Sequence, residues 1–537
     1  MQDQQDIVLD KRFRLTFAIL AVVSLLVALD GSSISVALPI VAKKLNGTAI
    51  EAFWVGTSFL LCSTVFQPCF GSLSNSFGRK PLMTLALLFF LVGAIVAGAS
   101  NEFMYLILGR SLQGVGGGGI VTLIEIVITD LVPLRLRGQY FGFIATMLSI
   151  GAVMGPILGG GFSQNVSWRW IFYINLPFAG LALFMIPVTL KGNHNSAPLK
   201  DKLQRIDYIG ALLFIASTTI CLMPITWGGV VYAWGAVQTF CPLVLGATGV
   251  AVFALYEAYV ASSPIIPKVI FASATAIVNF IGVASHGLIL WCLLYYFPFY
   301  FEAVKGYSPI LAGVALLPIT FTVSPSAIIV GLMITKTGRY AWAIWSGWAL
   351  ACLGLGLLCL LKTHTGVGGW VCLMLVPGTG LGFLFPAVIY AIQASAKPKH
   401  LAMAVAMCSF FRSLGQCLGV AVGGVVFQNR MRAILEGHPV LAPHAAEYSK
   451  DAAELVEILR VMSDVPQKEA LRAAYTDSLR YVWIFCGALA GASLLLSILT
   501  KDYRFEETEE VQVAVRVQSE GQTASYEAKH ASQGTDI

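Results

Sequence analysis

The chain has 537 residues, of which 57% are hydrophobic and only 12% charged, with a net charge of +6. Its mean hydropathy is +0.78. Soluble domains carry about 25% charged residues, so this composition excludes an ordinary soluble protein and indicates that lipid covers much of the surface. The basic residues form no stripe interleaved with aromatics, which argues against nucleic-acid binding. The eleven cysteines form no C-x-x-C pair, so we expect neither a metal site nor a disulfide framework.

Apolar segments recur along almost the whole chain, and a helix that crosses a bilayer needs about 20 such residues. We predict spans at 15–41, 52–73, 80–99, 103–130, 139–161, 170–190, 207–226, 236–259, 273–300, 308–333, 340–361, 368–395, 401–428 and 479–499. The sequence therefore predicts an all-α membrane protein with about fourteen transmembrane helices, in contact with the lipid bilayer.

Polar segments divide this chain into parts. We predict two six-helix bundles, at 15–190 and 273–499. Between them, 191–272 forms a cytoplasmic loop and two linker helices. Residues 1–14 and 500–537 are cytoplasmic tails, and the second tail is predicted to be disordered. Residues 429–478 form a long outer loop, in which AAELVEILRVM predicts a short amphipathic helix.

Lysine and arginine are concentrated on the side of the membrane that carries both tails. The positive-inside rule assigns this side to the cytoplasm. The opposite short loops hold only Lys43, Lys44, Arg169, Lys305 and Lys362. Two sequons on that outer side make Asn46 and Asn165 candidates for N-glycosylation.

Asp30 lies in the middle of the first span, in LLVALDGSSISVALP. A carboxylate in the hydrocarbon region is costly, so it usually faces a water-filled cavity or a partner. We predict that Asp30 carries protons. The alternative is a local role, in which Asp30 caps a kink beside Gly31 and Ser32.

An internal repeat relates span n to span n+8. The loop GSLSNSFGRK after span two matches GLMITKTGRY after span ten, pairing Gly71, Gly78 and Arg79 with Gly331, Gly338 and Arg339. Glycines four residues apart also occur in both span five and span thirteen, at Gly151, Gly155, Gly159 and at Gly415, Gly419, Gly423. These matches predict two parallel six-helix halves around a site near the bilayer midplane.

Span four carries further polar residues. Arg110 and Gln113 are one turn apart and share a face, so we predict a cavity-facing pair that couples protons to substrate; the alternative is an Arg that snorkels to the outer interface. Glu125 is a second candidate proton site. It lies fifteen residues beyond Arg110, about 22 Å along a helix, so the two side chains cannot pair.

Span five contains Gly151, Gly155, Pro156 and Gly159. Glycines on one stripe allow another helix to approach closely, and Pro156 adds a bend. We expect this stripe to be the place where the two bundles rock.

In the second half, His286 and Arg412 are candidates for lining the cavity, although a packing role is an alternative for His286. The GVGGGG segment fits a dinucleotide pattern only formally, because it lies inside an apolar span with no preceding strand. No P-loop lysine pattern occurs. We therefore expect no cofactor and no ATP.

These residues resemble the major facilitator superfamily, and within it the fourteen-span drug:proton antiporters of the fungal multidrug and toxin efflux type. The resemblance includes the loop Gly71–Lys80, Arg110 with Gln113, the span-five glycines with Pro156, LDGSSISVALP around Asp30, and SWRWIFYINLP at 167–177. Two positions depart from the family pattern, because Asn75 stands where the loop motif carries an Asp and Ser76 stands where it carries a basic residue.

The resemblance implies that Asp30 is a proton or cation-substrate site, that Arg110 and Gln113 couple proton to substrate, and that the span-five motif sets the helix interface for alternating access. In the family the loop Asp joins a charge network that latches the outward-facing state. Asn75 cannot form that charged pair.

The leading hypothesis is a secondary antiporter, not an enzyme, that exports small amphipathic organic compounds such as drugs, toxins or secondary metabolites in exchange for protons. We expect it to be a monomer in the plasma membrane. The alternatives are a vacuolar transporter of basic amino acids, in the vacuolar membrane, and a non-transporting membrane sensor.

Overall fold

A computed structural model describes residues 11–47, 49–190, 198–204, 206–229, 232–449, 452–463 and 466–503. The first ten residues and the tail beyond 503 lie outside the described residues, as does Thr48 of the first sequon. No strand occurs in the described ranges, where the one bridge joins Gly228 to Tyr232.

The described residues form long helices, α1 to α14, in the order of the predicted spans. In the first half these are α1 (Lys11–Lys44), α2 (Ala49–Phe77), α3 (Arg79–Ala99), α4 (Phe103–Leu131), α5 (Arg137–Asn165) and α6 (Asn175–Thr189), the last preceded by the short helix Trp170–Tyr173. The inserted pair is α7 (Tyr208–Trp227) and α8 (Val237–Tyr259), after a short helix at Leu199–Gln204. In the second half they are α9 (Ala274–Phe299), α10 (Leu317–Thr337), α11 (Ala341–Leu358), α12 (Val367–Ser395), α13 (Leu401–Glu436) and α14 (Pro466–Ser497).

Among the described residues, thirteen helical segments are long and apolar enough to cross a membrane. The α2 helix is not one of them, although it has 29 residues, so the fourteenth span stays a prediction. Its polar side chains face protein rather than lipid: Gln67 Nε2 donates to Ser413 Oγ (3.0 Å), and Thr64 contacts Cys417 (3.7 Å), both on α13.

The two halves use the same helix pairs. In the first half α1 packs on α5, α3 on α4, and α2 on α4. In the second half α9 packs on α13, α11 on α12, and α10 on α12. The matched loop glycines also agree, because Gly78 and Gly338 both have positive φ (91° and 68°), which favours glycine. The repeat seen in the sequence is therefore present in the packing.

The halves meet along two seams, α5 against α10 and α2 against α13. The inserted helices α7 and α8 pack on each other, and α7 also lies against α2 and α13. Leu222 of α7 shares an apolar cluster with Leu61 and Val65 of α2, and Phe214 contacts Phe410 of α13 (5.5 Å between ring centroids). The inserted pair thus flanks the second seam.

Helices extend into the predicted outer loop 429–478. The α13 helix continues to Glu436 and α14 begins at Pro466, because apolar residues on these extensions are buried, among them Met431, Leu435 and Leu471. The amphipathic helix predicted between them is present at Ala452–Val461, with Leu455, Val456 and Leu459 buried. Another short helix, Ala445–Tyr448, precedes it.

Candidate functional site

Asp30 lies at the centre of a buried polar network in the first half. Its carboxylate accepts hydrogen bonds from Arg110 Nη1 (2.5 Å), Gln113 Nε2 (3.0 Å) and Asn175 Nδ2 (2.8 Å). All four residues are fully buried. The structure therefore brings three side chains from α1 and α4 together with one from α6, and the distances fit a charge-assisted network.

Arg110 is held within the first half, although its Nη2 has no hydrogen-bond partner among the described residues. Its guanidinium carbon lies 4.4 Å from the centroid of Phe59, Nε donates to Val55 O (3.3 Å), and Nη1 also donates to Gln113 Oε1 (3.0 Å). It does not snorkel to the interface. Removing one partner of a buried ion pair costs about 3–5 kcal/mol, so the charges of Arg110 and Asp30 depend on each other.

Glu125 does not join that network, as the spacing predicts. Its Oε1 accepts from Arg412 Nη1 (3.1 Å) and its Oε2 from Ser409 Oγ (2.6 Å), both on α13. The side chains of Glu125 and Arg412 are only 4% and 8% exposed. This ion pair joins α4 of the first half to α13 of the second, so it can persist only while the halves are close together.

His286 lies behind Arg412 rather than beside Glu125. Its Nε2 is 3.1 Å from Leu381 O, and its ring lies 6.0 Å from that of Phe385. The guanidinium of Arg412 also lies over the Phe385 ring, 4.2 Å from its centroid. The histidine is buried and bonded to backbone, which matches the packing alternative.

The loop after α2 is tied by Arg79. Arg79 Nε pairs with Asp130 at the end of α4 (2.8 Å), and Nη1 donates to Ser74 O (2.6 Å) and Asn75 Oδ1 (3.0 Å). Asn75 therefore takes part through a neutral amide. The charged partner of Arg79 is Asp130.

The two halves touch at the end that carries this loop, which is the predicted cytoplasmic end. Arg137 Nη1 donates to Gln393 Oε1 (3.0 Å), and Gln393 Nε2 donates to Thr129 Oγ1 (3.2 Å). Nearby, Gly138 N donates to Tyr390 Oη (2.5 Å). These bonds join α4 and α5 to α12, so this end is closed.

Two of the repeat glycines lie at this closed end. A Cβ on Gly71 of α2 would overlap the side chain of Ala406 on α13, and one on Gly331 of α10 would overlap the backbone of Gly138 on α5. Each loop motif thus begins with a glycine that lets the opposite half approach closely.

The glycine stripe of span five does not lie between the halves. A Cβ on Gly151, Gly155 or Gly159 would overlap α1, at Leu25, Ser32 and Ser33 in turn. The expectation that the two bundles rock on this stripe is therefore wrong, because α1 belongs to the same half and contacts it along its length. Pro156 faces the other half, since a Cβ added to Gly313 would lie 3.8 Å from Pro156 Cβ.

Asn46 and Asn165 are both exposed. Asn46 adopts a positive φ of 51°, and Asn165 Nδ2 donates to Gly161 O (3.0 Å). Exposure is compatible with the predicted glycosylation, which stays a prediction.

Several residues of these networks were not among the predicted site residues, and three of them are Asn175, Ser409 and Gln393. Asn175 lies within the SWRWIFYINLP motif, so its position in that motif was an available signal. Ser409 lies one turn before Arg412, on the same helical face. Gln393 gave no signal, because one amide at the end of an apolar span is compatible with many roles.

Comparison with known proteins agrees with this architecture. The Major Facilitator Superfamily profile matches residues 20–420. The chain is 51% identical to the "MFS transporter L2" of Phoma sp. over 492 residues, 92% of this chain and 82% of the relative. It is 36% identical to the "MFS-type efflux pump LUC4" of Fusarium sp. over 91% of this chain and 88% of the relative.

Solved structures show the same fold at low sequence identity. The proton:xylose symporter XylE superposes with a TM-score of 0.56 at 14% identity, covering 92% of this chain and 98% of the symporter. The human organic anion transporter MFSD10 gives 0.55 at 15% identity, covering 92% and 100%. With two repeated halves, buried intramembrane charges and these relatives, the chain belongs to the major facilitator superfamily and is an integral multi-pass membrane transporter, not an enzyme.

Proposed function

We propose that this protein exports small amphipathic organic compounds, of the drug, toxin or secondary-metabolite kind, in exchange for protons. The observation that carries the proposal is the fully buried Asp30 carboxylate, held by Arg110, Gln113 and Asn175. Relatives named efflux pumps support the direction of transport.

The chemistry follows from the charge balance of this network. A proton on Asp30 cancels the charge that holds Arg110, so the bonds that join α1, α4 and α6 weaken when the proton binds. A proton-driven exchanger needs such a group, because occupancy must change the free-energy difference between two conformations.

The remaining parts of the proposal concern the setting. We place the protein in the plasma membrane as a monomer, with both termini in the cytoplasm. Its energy source is the proton gradient, without ATP or a cofactor. The concentration of lysine and arginine at the closed end supports this orientation.

The test is efflux of fluorescent dyes from cells that lack their own exporters, with and without a protonophore. Rhodamine 123 and fluorescein serve as probes because they share a ring system and differ in charge. We expect efflux of at least one dye by the wild type, and loss of its protonophore-sensitive part in Asp30→Asn. The exposed Asp477 provides the matched control, and Asp477→Asn should behave as wild type.

Outward transport that persists unchanged after the gradient collapses would contradict proton exchange. Protonophore-sensitive efflux that survives in Asp30→Asn would assign the proton to another group.

A further inference from the structure

Arg412 has hydrogen-bonding capacity that the protein does not use. A guanidinium has five N–H donors. In Arg412, Nη1 is bonded to Glu125, whereas Nε and Nη2 are buried and have no partner among the described residues. The residue is only 7% exposed. Buried donors without partners are rare in folded proteins, and each one requires an explanation.

On the other side of the pair, each oxygen of the carboxylate already has a hydrogen-bond donor. Both oxygens of Glu125 accept a hydrogen bond, one from Arg412 and one from Ser409. The unsatisfied side of the pair is therefore the cationic one. A ligand that completes it must bring acceptor oxygens, and a negative charge would strengthen the bonds.

The surroundings of Arg412 suit an acid attached to an apolar ring system. Its guanidinium stacks on the buried ring of Phe385, 4.2 Å from the ring centroid. Three charged or titratable groups surround Arg412. Glu125 is paired with it, Cys408 lies nearby on the same helix, and His286 contacts the Phe385 ring. Glu125 is the acidic group among them, and it belongs to the other half.

We propose that Arg412 recognises an acidic, oxygen-rich group of the exported compound, such as a carboxylate or an enolate. While no compound is bound, the carboxylate of Glu125 accepts the hydrogen bond of the Arg412 guanidinium. This inference rests on the proposed export function and adds the chemical class of the substrate. A planar guanidinium is suited to it because its fork matches a carboxylate in two-point contact.

The location of the pair gives such a compound a route to Arg412. Glu125 is six residues from the end of α4 and lies one turn from Thr129, which belongs to the closed contact with Gln393. When the halves separate at the predicted cytoplasmic end, Arg412 moves away from Glu125. Its guanidinium is then open to the side from which an exported compound enters.

The test uses the full-length protein in proteoliposomes and compares transport of fluorescein, an acid, with that of rhodamine 123, a cation. The readout is the ratio of the two rates. We expect Arg412→Gln to lower this ratio about tenfold or more, as for loss of charge-assisted hydrogen bonds. Arg432→Gln is the matched control, because Arg432 lies on the same helix in an exposed pair with Glu436, and it should leave the ratio unchanged.

Two further variants separate recognition from folding. Glu125→Gln removes the competitor for the guanidinium, so the KM for fluorescein should fall several-fold, which a purely structural pair would not produce. If Arg412→Gln does not fold, the neutral double variant Glu125→Gln with Arg412→Gln removes both charges and should show the same low ratio.

Four results would overturn the inference or the export function on which it rests. An unchanged ratio in Arg412→Gln and in the double variant would show that Arg412 does not select acids. A rise in the fluorescein KM of Glu125→Gln would show that the pair is structural. Transport of neither dye by the wild type would contradict the export function itself, whereas proton-dependent transport of rhodamine 123 without any transport of fluorescein by the wild type would contradict only the acidic substrate class.

Discussion

Tyr390→Phe tests the closure of the predicted cytoplasmic end. Gly138 is in the first turn of α5, where a backbone N–H has no partner within its own helix. Tyr390 Oη on α12 supplies that partner at 2.5 Å. Removing the hydroxyl leaves this N–H buried without a bond while the halves are closed, but not once they separate and water reaches it.

The magnitude follows from this asymmetry. A buried donor left without its partner costs about 1–3 kcal/mol, and here the cost falls on the closed state alone. A bias of that size raises the open population about 5- to 150-fold.

Cys408 is a native reporter of this opening. It is fully buried on α13, close to both Glu125 and Arg412 at the contact between the halves. We expect Tyr390→Phe to raise its rate of maleimide labelling by the same factor, measured by peptide mass spectrometry. The thiol of Cys486, buried in the second half, should label at an unchanged rate.

Tyr296→Phe is the matched control, because Tyr296 Oη donates to Val420 O (2.9 Å) within the second half. An unchanged Cys408 rate in Tyr390→Phe, or an equal rise in Tyr296→Phe, would refute the assignment of this bond to closure.

Two other substitutions test packing and charge. Gly159→Ala places a methyl group against the backbone of α1. It should lower the stability of the fold by about 1–3 kcal/mol, seen as a lower melting temperature in detergent. Gly161→Ala is the control, because its methyl group meets nothing within 4 Å, and it should melt as wild type. Asn75→Asp places a carboxylate where Arg79 now bonds an amide. It should stabilise the protein by an amount typical of an exposed pair, up to about 1 kcal/mol, seen as a higher melting temperature in detergent. Cys408 labelling should not change, because Asn75, Arg79 and Asp130 all lie in the first half, and a change in labelling would show that this loop acts on closure.

The sequence predicts the helices well because one property, apolar length, determines them. It also shows the repeat, since equivalent positions in the two halves meet equivalent neighbours. The α2 helix shows what this property leaves out: apolar length predicts a span there, but it does not predict that Gln67 and Thr64 lie against α13 of the other half.

The partners of the charged residues could not be predicted in this way. Asp30, Arg110, Glu125 and Arg412 all stand out as charges in apolar spans, but periodicity gives only the face of a helix. Which helix that face meets, and at what depth, depends on the packing of all the others. The glycine stripe shows the same limit, because small residues predict a close contact without naming the contacting helix.

The two buried ion pairs therefore play different parts. Asp30 and Arg110 lie in one half, so rocking of the halves leaves them together, whereas Glu125 and Arg412 separate. Asp30 can bias the rocking only through neighbours that reach the seam. Ser32 and Ser33 beside it contact the stripe of α5, and the other end of α5 carries Arg137 and Gly138.

A prediction follows for the neutral form of Asp30. A proton that enters from outside must be released at the predicted cytoplasmic end, so the protonated state has to favour opening there. Asp30→Asn imitates that state, and it should raise maleimide labelling of Cys408 even though the two sites lie about 22 Å apart along α4. Gly159→Ala, which displaces α1 from α5, should reduce this effect in the double variant. If Asp30→Asn labels as wild type, the proton site and the closed end are not coupled, and exchange through Asp30 is excluded even if efflux depends on the gradient.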